Sequence, residues 1–399
     1  MEALYTVFYQ QLNKTNTQFK RYLYKKINWD NRLISLLGAR GSGKTTLLLQ
    51  YIKENYGKAP QKTLYASLDH IWFSGKSLYE LGKSFVQNGG ELLVLDEVHK
   101  YATWSREIKN LYDGFPELKI VFTGSSILEI SKGEADLSRR AVQYFLPGMS
   151  FREFLKCEKI LDIEAYTLEQ ILTNHVEIAQ NITSQIKILP LFSEYLQIGY
   201  YPYYLEGKES YLPKLAQTIN AVLEFDLPTV EKIDFSSIDK VKKLLYIIST
   251  MVPFSPNITR LSQDVGVSRN SLLAYIHFLQ KAQAIQTLQE KSKSFSTLTK
   301  PEKIYLGNTN LCYAFALSGK PDLGNIRETF FCNQLNVTET VEFSKETDFL
   351  INQKYHFEVG GKNKGREQIM GLPDAYLALD DLEIGFANKI PLWLFGLLY

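Results

Sequence analysis

From Leu33 to about Leu146, short apolar runs alternate with stretches of helical period. The runs are Leu33–Leu37, Thr63–Leu68, Leu92–Leu95, Ile120–Thr123 and Ala141–Leu146, and the helical stretches are Thr45–Tyr56, Ser77–Gln87 and Trp104–Tyr112. Strands that read as unbroken apolar runs are covered on both faces, which is what crossover helices do to a parallel sheet. Ahead of this block, Phe19, Tyr22, Leu23 and Lys26 stand at helical spacing and predict a helix there. Behind it, residues 151–235 carry Leu, Ile and Tyr at helical spacing, and residues 240–300 read as helices followed by a hairpin. After Asn308 comes a helix near Ile326–Leu335, then strand-like runs at Val337–Phe343, Phe349–Ile351 and Tyr355–Val359. The pattern predicts an α/β chain in four parts. They are an N-terminal helix plus α/β core (1–150), a helical lid (151–235), a small helical module (236–300) and a C-terminal α/β module (301–399).

Composition narrows the class. A length of 399 residues suits about two to four domains. Charged residues make up 22% and the formal net charge is +2, so any contact with nucleic acid must come from a local patch rather than a polycationic surface. Aromatic residues reach 13%, suited to large cores. Cys157, Cys312 and Cys332 are far apart and the five histidines are scattered, which excludes a disulfide framework and a zinc ribbon. The start lacks the basic-then-apolar pattern of a signal peptide, and the run Ile390–Tyr399 is too short to span a bilayer. The expected setting is cytoplasmic, with no membrane partner.

One motif carries specific chemistry. Gly38-Ala39-Arg40-Gly41-Ser42-Gly43-Lys44-Thr45 fits G-x-x-x-x-G-K-[ST] in full, entered by an apolar strand and left by an amphipathic helix beginning at Thr46. Glycines let backbone N–H groups wrap phosphates at a helix N-terminus, Lys44 reaches the β- and γ-phosphates, and Thr45 offers its hydroxyl to Mg²⁺. A second strand ends at Asp96-Glu97. There Asp96 would hold Mg²⁺ through water, and Glu97 would orient and deprotonate the attacking water. The next strand ends Val121-Phe122-Thr123-Gly124-Ser125-Ser126. Ser125 is the favoured polar group to face the γ-phosphate, with Thr123 second; both could instead cap the following helix. Arg139-Arg140 follows Asp136-Leu137-Ser138. Either guanidinium suits transition-state charge, in cis or on a second copy of the chain; the alternative is a surface pair or a salt bridge to Asp136.

On Gly38–Thr46, Leu92–Glu97, Phe122–Ser126, Ser138-Arg139-Arg140, Leu146–Phe154, Phe357–Lys364 and Lys389–Gly396, the chain resembles the prokaryotic AAA-type ATPases that carry a C-terminal domain of unknown function. The resemblance implies adenine as the base, ATP and Mg²⁺ as cofactors, and a C-terminal fold akin to restriction endonucleases. It leaves the biological role open.

Two distal features bear on partners. Ile258–Ser271 running into Leu272–Leu279 is similar to a winged helix-turn-helix, with Ser268 as N-cap and Lys291, Lys293 and Lys300 on the wing. This would set Arg269, Asn270 and Tyr275 near DNA; the alternative is a module that only joins domains. In the C-terminal module, Asp348 and Glu358 are placed to hold Mg²⁺ if the module is an active nuclease, with Glu328 as a third acid. The nuclease pattern wants a lysine two residues after the acid, where this chain has Gly360; Lys362 lies four residues on. An inactive scaffold is therefore the expectation, with Lys362, Lys364 and Arg366 forming either a phosphate-contacting patch or a solvated turn. The leading reading is a Mg²⁺-dependent ATPase. The others are a nucleotide-switched DNA-binding regulator and an ATP-gated nuclease.

Overall fold

The structure is a computed structural model that describes residues 1–125, 137, 139–230, 233–290, 300–316 and 321–399. It divides into two compact units, Met1–Pro147 with Ala221–Asp234, and Gly148–Asn220 with Phe235–Tyr399. The stretches expected as lid, small helical module and C-terminal module thus fall together, except that residues 221–234 belong to the first unit. Within this stretch Asp226 is buried and paired with Lys100 of the first unit.

The first unit opens with α1 (Glu2–Lys14), whose Leu4, Phe8 and Leu12 are buried at helical spacing. A sheet follows, made of β1 (Leu33–Gly38), β2 (Thr63–Ser67), β3 (Leu92–Asp96), β4 (Lys119–Ser125) and β5 (Val142–Phe145). All its pairings are parallel and the order is β2-β3-β4-β1-β5. Helices α2 (Lys44–Asn55), α3 (Leu78–Gln87) and α4 (Trp104–Gly114) make the crossovers. Two apolar clusters form, one containing Leu37, Leu93, Leu95 and Phe122, the other Leu36, Leu47, Val94 and Val121. Successive strand residues thus alternate between two buried faces, as the unbroken apolar runs require. The helix expected across Phe19–Lys26 is only a 3₁₀ turn, Tyr22–Lys25. Gln50 donates to Asn16 O and Phe19 O, and Arg21 donates to Pro147 O, so hydrogen bonds tie this stretch to the unit.

The second unit contains α5 (Phe151–Cys157), α6 (Leu168–Thr183), α7 (Ile188–Ile198), α8 (Lys208–Ala221), α9 (Phe235–Met251), α10 (Ile258–Val265) and α11 (Arg269–Lys281). Ser150 and Thr167 start α5 and α6 with capping boxes, each satisfying donors at the helix start. Phe151, Phe154, Phe192, Tyr195 and Phe330 meet edge-to-face or tilted in its core, which is where part of the aromatic content goes. Asn310 is buried there and fully used: it accepts from Tyr200 N–H at 2.9 Å and Tyr211 hydroxyl at 2.6 Å, and donates to Leu196 O at 2.9 Å.

Helices α10 and α11 are joined by Gly266 in the left-handed region (φ 78°), and β6 (Ile285–Leu288) pairs antiparallel with β7 (Lys303–Leu306). Lys291 and Lys293 of the expected wing lie outside the described residues. After α12 (Thr309–Ala314) and α13 (Leu323–Leu335), a mixed sheet is built from β8 (Val341–Glu342), β9 (Phe349–Ile351), β10 (Tyr355–Gly361), β11 (Ala375–Asp380) and β12 (Lys389–Pro391). Its order is β12-β11-β10-β9-β8, with β8, β9 and β10 antiparallel and β10, β11 and β12 parallel. The α/β class, the parallel sheet with helices and the added C-terminal α/β sheet follow the expectation. Among the described residues no helix is long and apolar enough to cross a membrane.

Candidate nucleotide site

The glycine motif is the turn between β1 and α2. Gly38 leaves β1 so close to the chain end of β5 that a Cβ would collide with Leu146 O. Gly41 and Gly43 take φ of 83° and 96°, open to glycine at little cost. Gly43 is the N-cap of α2 and supplies no side-chain cap, so the N–H groups of its first turn remain available to an anion. Ser42 is buried, while Arg40 and Thr46 are exposed on the outer side of the turn.

Lys44 is almost fully buried and its ammonium donates to Gly38 O at 2.8 Å and Ala39 O at 3.0 Å. Burial pulls its pKa below the ordinary lysine value, although Glu97, Asp96 and Asp226 oppose the shift. A cation held inside the loop by two carbonyls, with its hydration lost, gains from an arriving phosphate.

Asp96, at the end of β3, collects the site's hydroxyls. Thr45 donates to its Oδ2 at 2.6 Å, Tyr65 donates to the same oxygen at 2.6 Å, and Thr123 donates to Oδ1. Parallel pairing of β3 with β2 and β4 brings Tyr65 and Thr123 beside Asp96, and the start of α2 adds Thr45. Asp96 is buried, and Tyr65 has its phenol pushed well up by burial and by the carboxylate it serves. The donor set fits a hard divalent cation: a threonine hydroxyl and a carboxylate converge beside a phosphate loop.

Glu97 follows in the left-handed region (φ 53°), with its N–H donating to Asp96 Oδ1 at 3.1 Å and its side chain 28% exposed. Ser125 ends β4 in register with Gly38, is buried, and its Oγ makes no hydrogen bond among the described residues. The structure thus gathers Lys44, Thr45, Asp96, Glu97, Thr123 and Ser125 at one end of the sheet. Arg140 is held by Asp113, with Nε to Oδ1 and Nη2 to Oδ2 both at 3.0 Å. Arg139 is exposed, and Ser126, Asp136 and Ser138 lie outside the described residues.

Several functional neighbours were not found by motif. Arg21 is buried and donates to Ser42 O and, at 2.8 Å, to Pro147 O, bracing the phosphate loop. Tyr65, His99 and Asp226 were missed as well. His99 Nδ1 lies 3.5 Å from Glu97 Oε2, and Nε2 lies 3.4 Å from Asp226 Oδ1. A histidine and an acid two residues apart offer no spacing rule, and Asp226 is 126 residues from its partner Lys100.

In the second unit, Arg269 and Asn270 are exposed at the start of α11. Tyr275 corrects its expected place near DNA. It is 7% exposed, because it shares the inward face of α11 with Leu272, Ile276 and Leu279.

The C-terminal acids meet lysines rather than one another's open space. Lys364 Nζ pairs with Asp348 Oδ2 at 3.1 Å and with Glu358 Oε2, and donates to Val359 O at 2.9 Å. Lys303 Nζ pairs with Glu328 Oε2 at 2.7 Å and approaches Asp348 Oδ1 at 3.8 Å. Burial pushes the Glu358 and Glu328 carboxyls up, with Asp348 adding to each and the lysines opposing. Gly360 makes room for Lys364, whose Cδ a Cβ there would strike. Lys362 instead points to Asp381, at 2.9 Å, and Arg366 is exposed. Among the described residues no group of three or more His, Cys, Asp or Glu is placed to hold a metal. Around Asp348 and Glu358 the ammonium of Lys364 spans both carboxylates.

Residues 30–155 match a family described as an AAA domain, and residues 189–322 match a domain of unknown function, DUF8612. The first match spans the sheet of the first unit, including the phosphate loop and Asp96-Glu97. Over 95% of its length the chain is 27% identical to the uncharacterized protein MJ1637 of Methanocaldococcus jannaschii, 88% of which is covered. Solved structures with similarity include AMPPCP-bound DnaA from Aquifex aeolicus, at 15% identity, TM-score 0.26, and coverage of 70% of this chain and 88% of that one. Another is the Hsp104–ADP complex of S. cerevisiae, at 12% identity, TM-score 0.27, and coverage of 69% and 39%. Scores this low leave the chemistry to the residues themselves.

Proposed function

We propose that this protein binds ATP with Mg²⁺ and hydrolyses it. The observation that carries the reading is the convergence of Thr45, Tyr65 and Thr123 on Asp96 beside a complete phosphate loop. Thr45 and Asp96 would hold Mg²⁺, which when bound supplies positive charge between the phosphates. Lys44 exchanges the carbonyls of Gly38 and Ala39 for phosphate oxygens. Asp96 keeps its orientation through three hydroxyl donors. Glu97, partly open to solvent, accepts the proton of the attacking water. Ser125 Oγ is the spare donor at the end of β4, next to the loop, and senses the terminal phosphate. Arg139 is the guanidinium open to a second copy of the chain, whereas Arg140 is committed to Asp113. Hydrolysis would then work on the modules of the second unit. ATP turnover by purified protein, with Lys44→Ala and Glu97→Gln as controls, tests this reading, and absence of turnover in the native chain rejects it.

A second reading is a nucleotide-switched regulator that binds DNA. It is favoured by Arg269 and Asn270, which stand exposed at the start of the helix that follows the Gly266 turn. Binding that weakens steeply with salt and changes with nucleotide supports it; no binding at low salt removes it. The C-terminal module reads as a closed ion cluster and a scaffold, and no cleavage step is assigned to it.

A further inference from the structure

His99 follows the acid pair by two residues and its side chain is wholly buried. Its ring nitrogens lie 3.5 Å from Glu97 Oε2 and 3.4 Å from Asp226 Oδ1, yet neither makes an aligned hydrogen bond among the described residues. A buried imidazole left unsatisfied between two carboxylates is costly, and such groups are retained where a small movement completes them. Asp226 is itself buried, held by Lys100 at 2.7 Å, and sits at the end of a π-helical turn, Val222–Asp226. Single π turns recur at functional positions because they re-aim a side chain that α-geometry would point elsewhere. Its charge also acts on Lys44, so three acids surround the phosphate loop's lysine.

Resting on the ATPase reading, we propose that Asp226, acting through His99, is a positioning residue for Glu97. Glu97 stands to gain from such positioning: its backbone is in the left-handed region just past β3 and its side chain is partly open to water.

The test is steady-state ATP hydrolysis alongside the affinity of a fluorescent ATP analogue, for wild type, Asp226→Asn, Asp226→Glu, His99→Gln, Glu97→Gln and the double variant Glu97→Gln/Asp226→Asn. The relay predicts that Asp226→Asn and His99→Gln each lose at least about tenfold in kcat, while affinity stays within roughly threefold. Asp226→Glu recovers part of the loss, and the double variant is no slower than Glu97→Gln, since both act on one group. Glu97-dependent turnover that Asp226→Asn and His99→Gln leave at wild-type rate overturns the relay and spares the ATPase reading. Parallel losses of kcat and affinity with no recovery in Asp226→Glu assign Asp226 a structural role and also overturn the relay. If Asp226→Asn does not fold, His99→Gln alone decides, on the same split. A wild type that binds the analogue without turning over ATP rejects both.

Discussion

Thr45 donates its hydroxyl to Asp96 at 2.6 Å, across 51 residues of sequence. That single contact joins the first turn of α2 to the end of β3, and it is the point where the phosphate loop meets the acidic strand. Both side chains also belong to the donor set that suits Mg²⁺, so the hydrogen bond keeps the pair aligned for a cation.

Tyr65 shares the same carboxylate oxygen. Tyr65→Phe removes one donor and leaves the packing. It should weaken ATP binding in the presence of Mg²⁺ by about fivefold, the worth of about 1 kcal/mol, and leave Mg²⁺-free binding unchanged. Isothermal titration with and without the cation checks this. Equal loss in both conditions would detach Tyr65 from the cation site.

Arg21 holds the carbonyls of Ser42 and Pro147 together from a buried position. Arg21→Met should cost about 2 kcal/mol of stability and also weaken nucleotide binding, because the loop loses its brace. Thermal melts with and without ATP separate the two effects. A variant with unchanged melting temperature would contradict the role.

The legible part of this protein was the part whose chemistry is local in sequence. The phosphate loop and Asp96-Glu97 are legible because each is a contiguous motif at the end of an apolar run. Arg21, Tyr65 and Asp226 are not, since each acts on residues far along the chain and is of a type that is common elsewhere. The turn at Tyr22–Lys25 passed for a helix because one turn of 3₁₀ shows the same i, i+3 spacing as an α-helix. The sequence sets Lys364 in a patch with Lys362, but a bend after Gly360-Gly361 brings it back over the acids, and extended-strand geometry does not contain that bend.

Asp226 gives the first unit a defined acid lability. Burial alone would raise its pKa, but His99 and Lys100 outweigh burial and hold it below the ordinary 3.8. A depressed carboxylate contributes stability that is present above its unfolded value and is lost as pH falls through the folded one. Asp226→Asn should therefore reduce stability near neutrality and flatten the fall in stability below pH 3.8. Denaturant melts across that range are the check, and an unchanged pH slope would refute it.

Lys364 stands between Asp348 and the buried Glu358. Lys364→Met strands two carboxylates and should cost about 3 kcal/mol, whereas removing divalent cations from the native chain should not shift its melting temperature. A stability that rises with Mg²⁺ in the absence of nucleotide, and vanishes in Asp348→Asn, would show a metal where the structure has an ammonium.

The central claim is that the site at Lys44, Thr45, Asp96 and Glu97 turns over ATP. The most direct measurement is steady-state phosphate release from ATP by wild type and Glu97→Gln, each checked for nucleotide binding. Wild type should show Mg²⁺-dependent turnover, and Glu97→Gln should lose at least about hundredfold with binding retained. Equal turnover by the two proteins would contradict it.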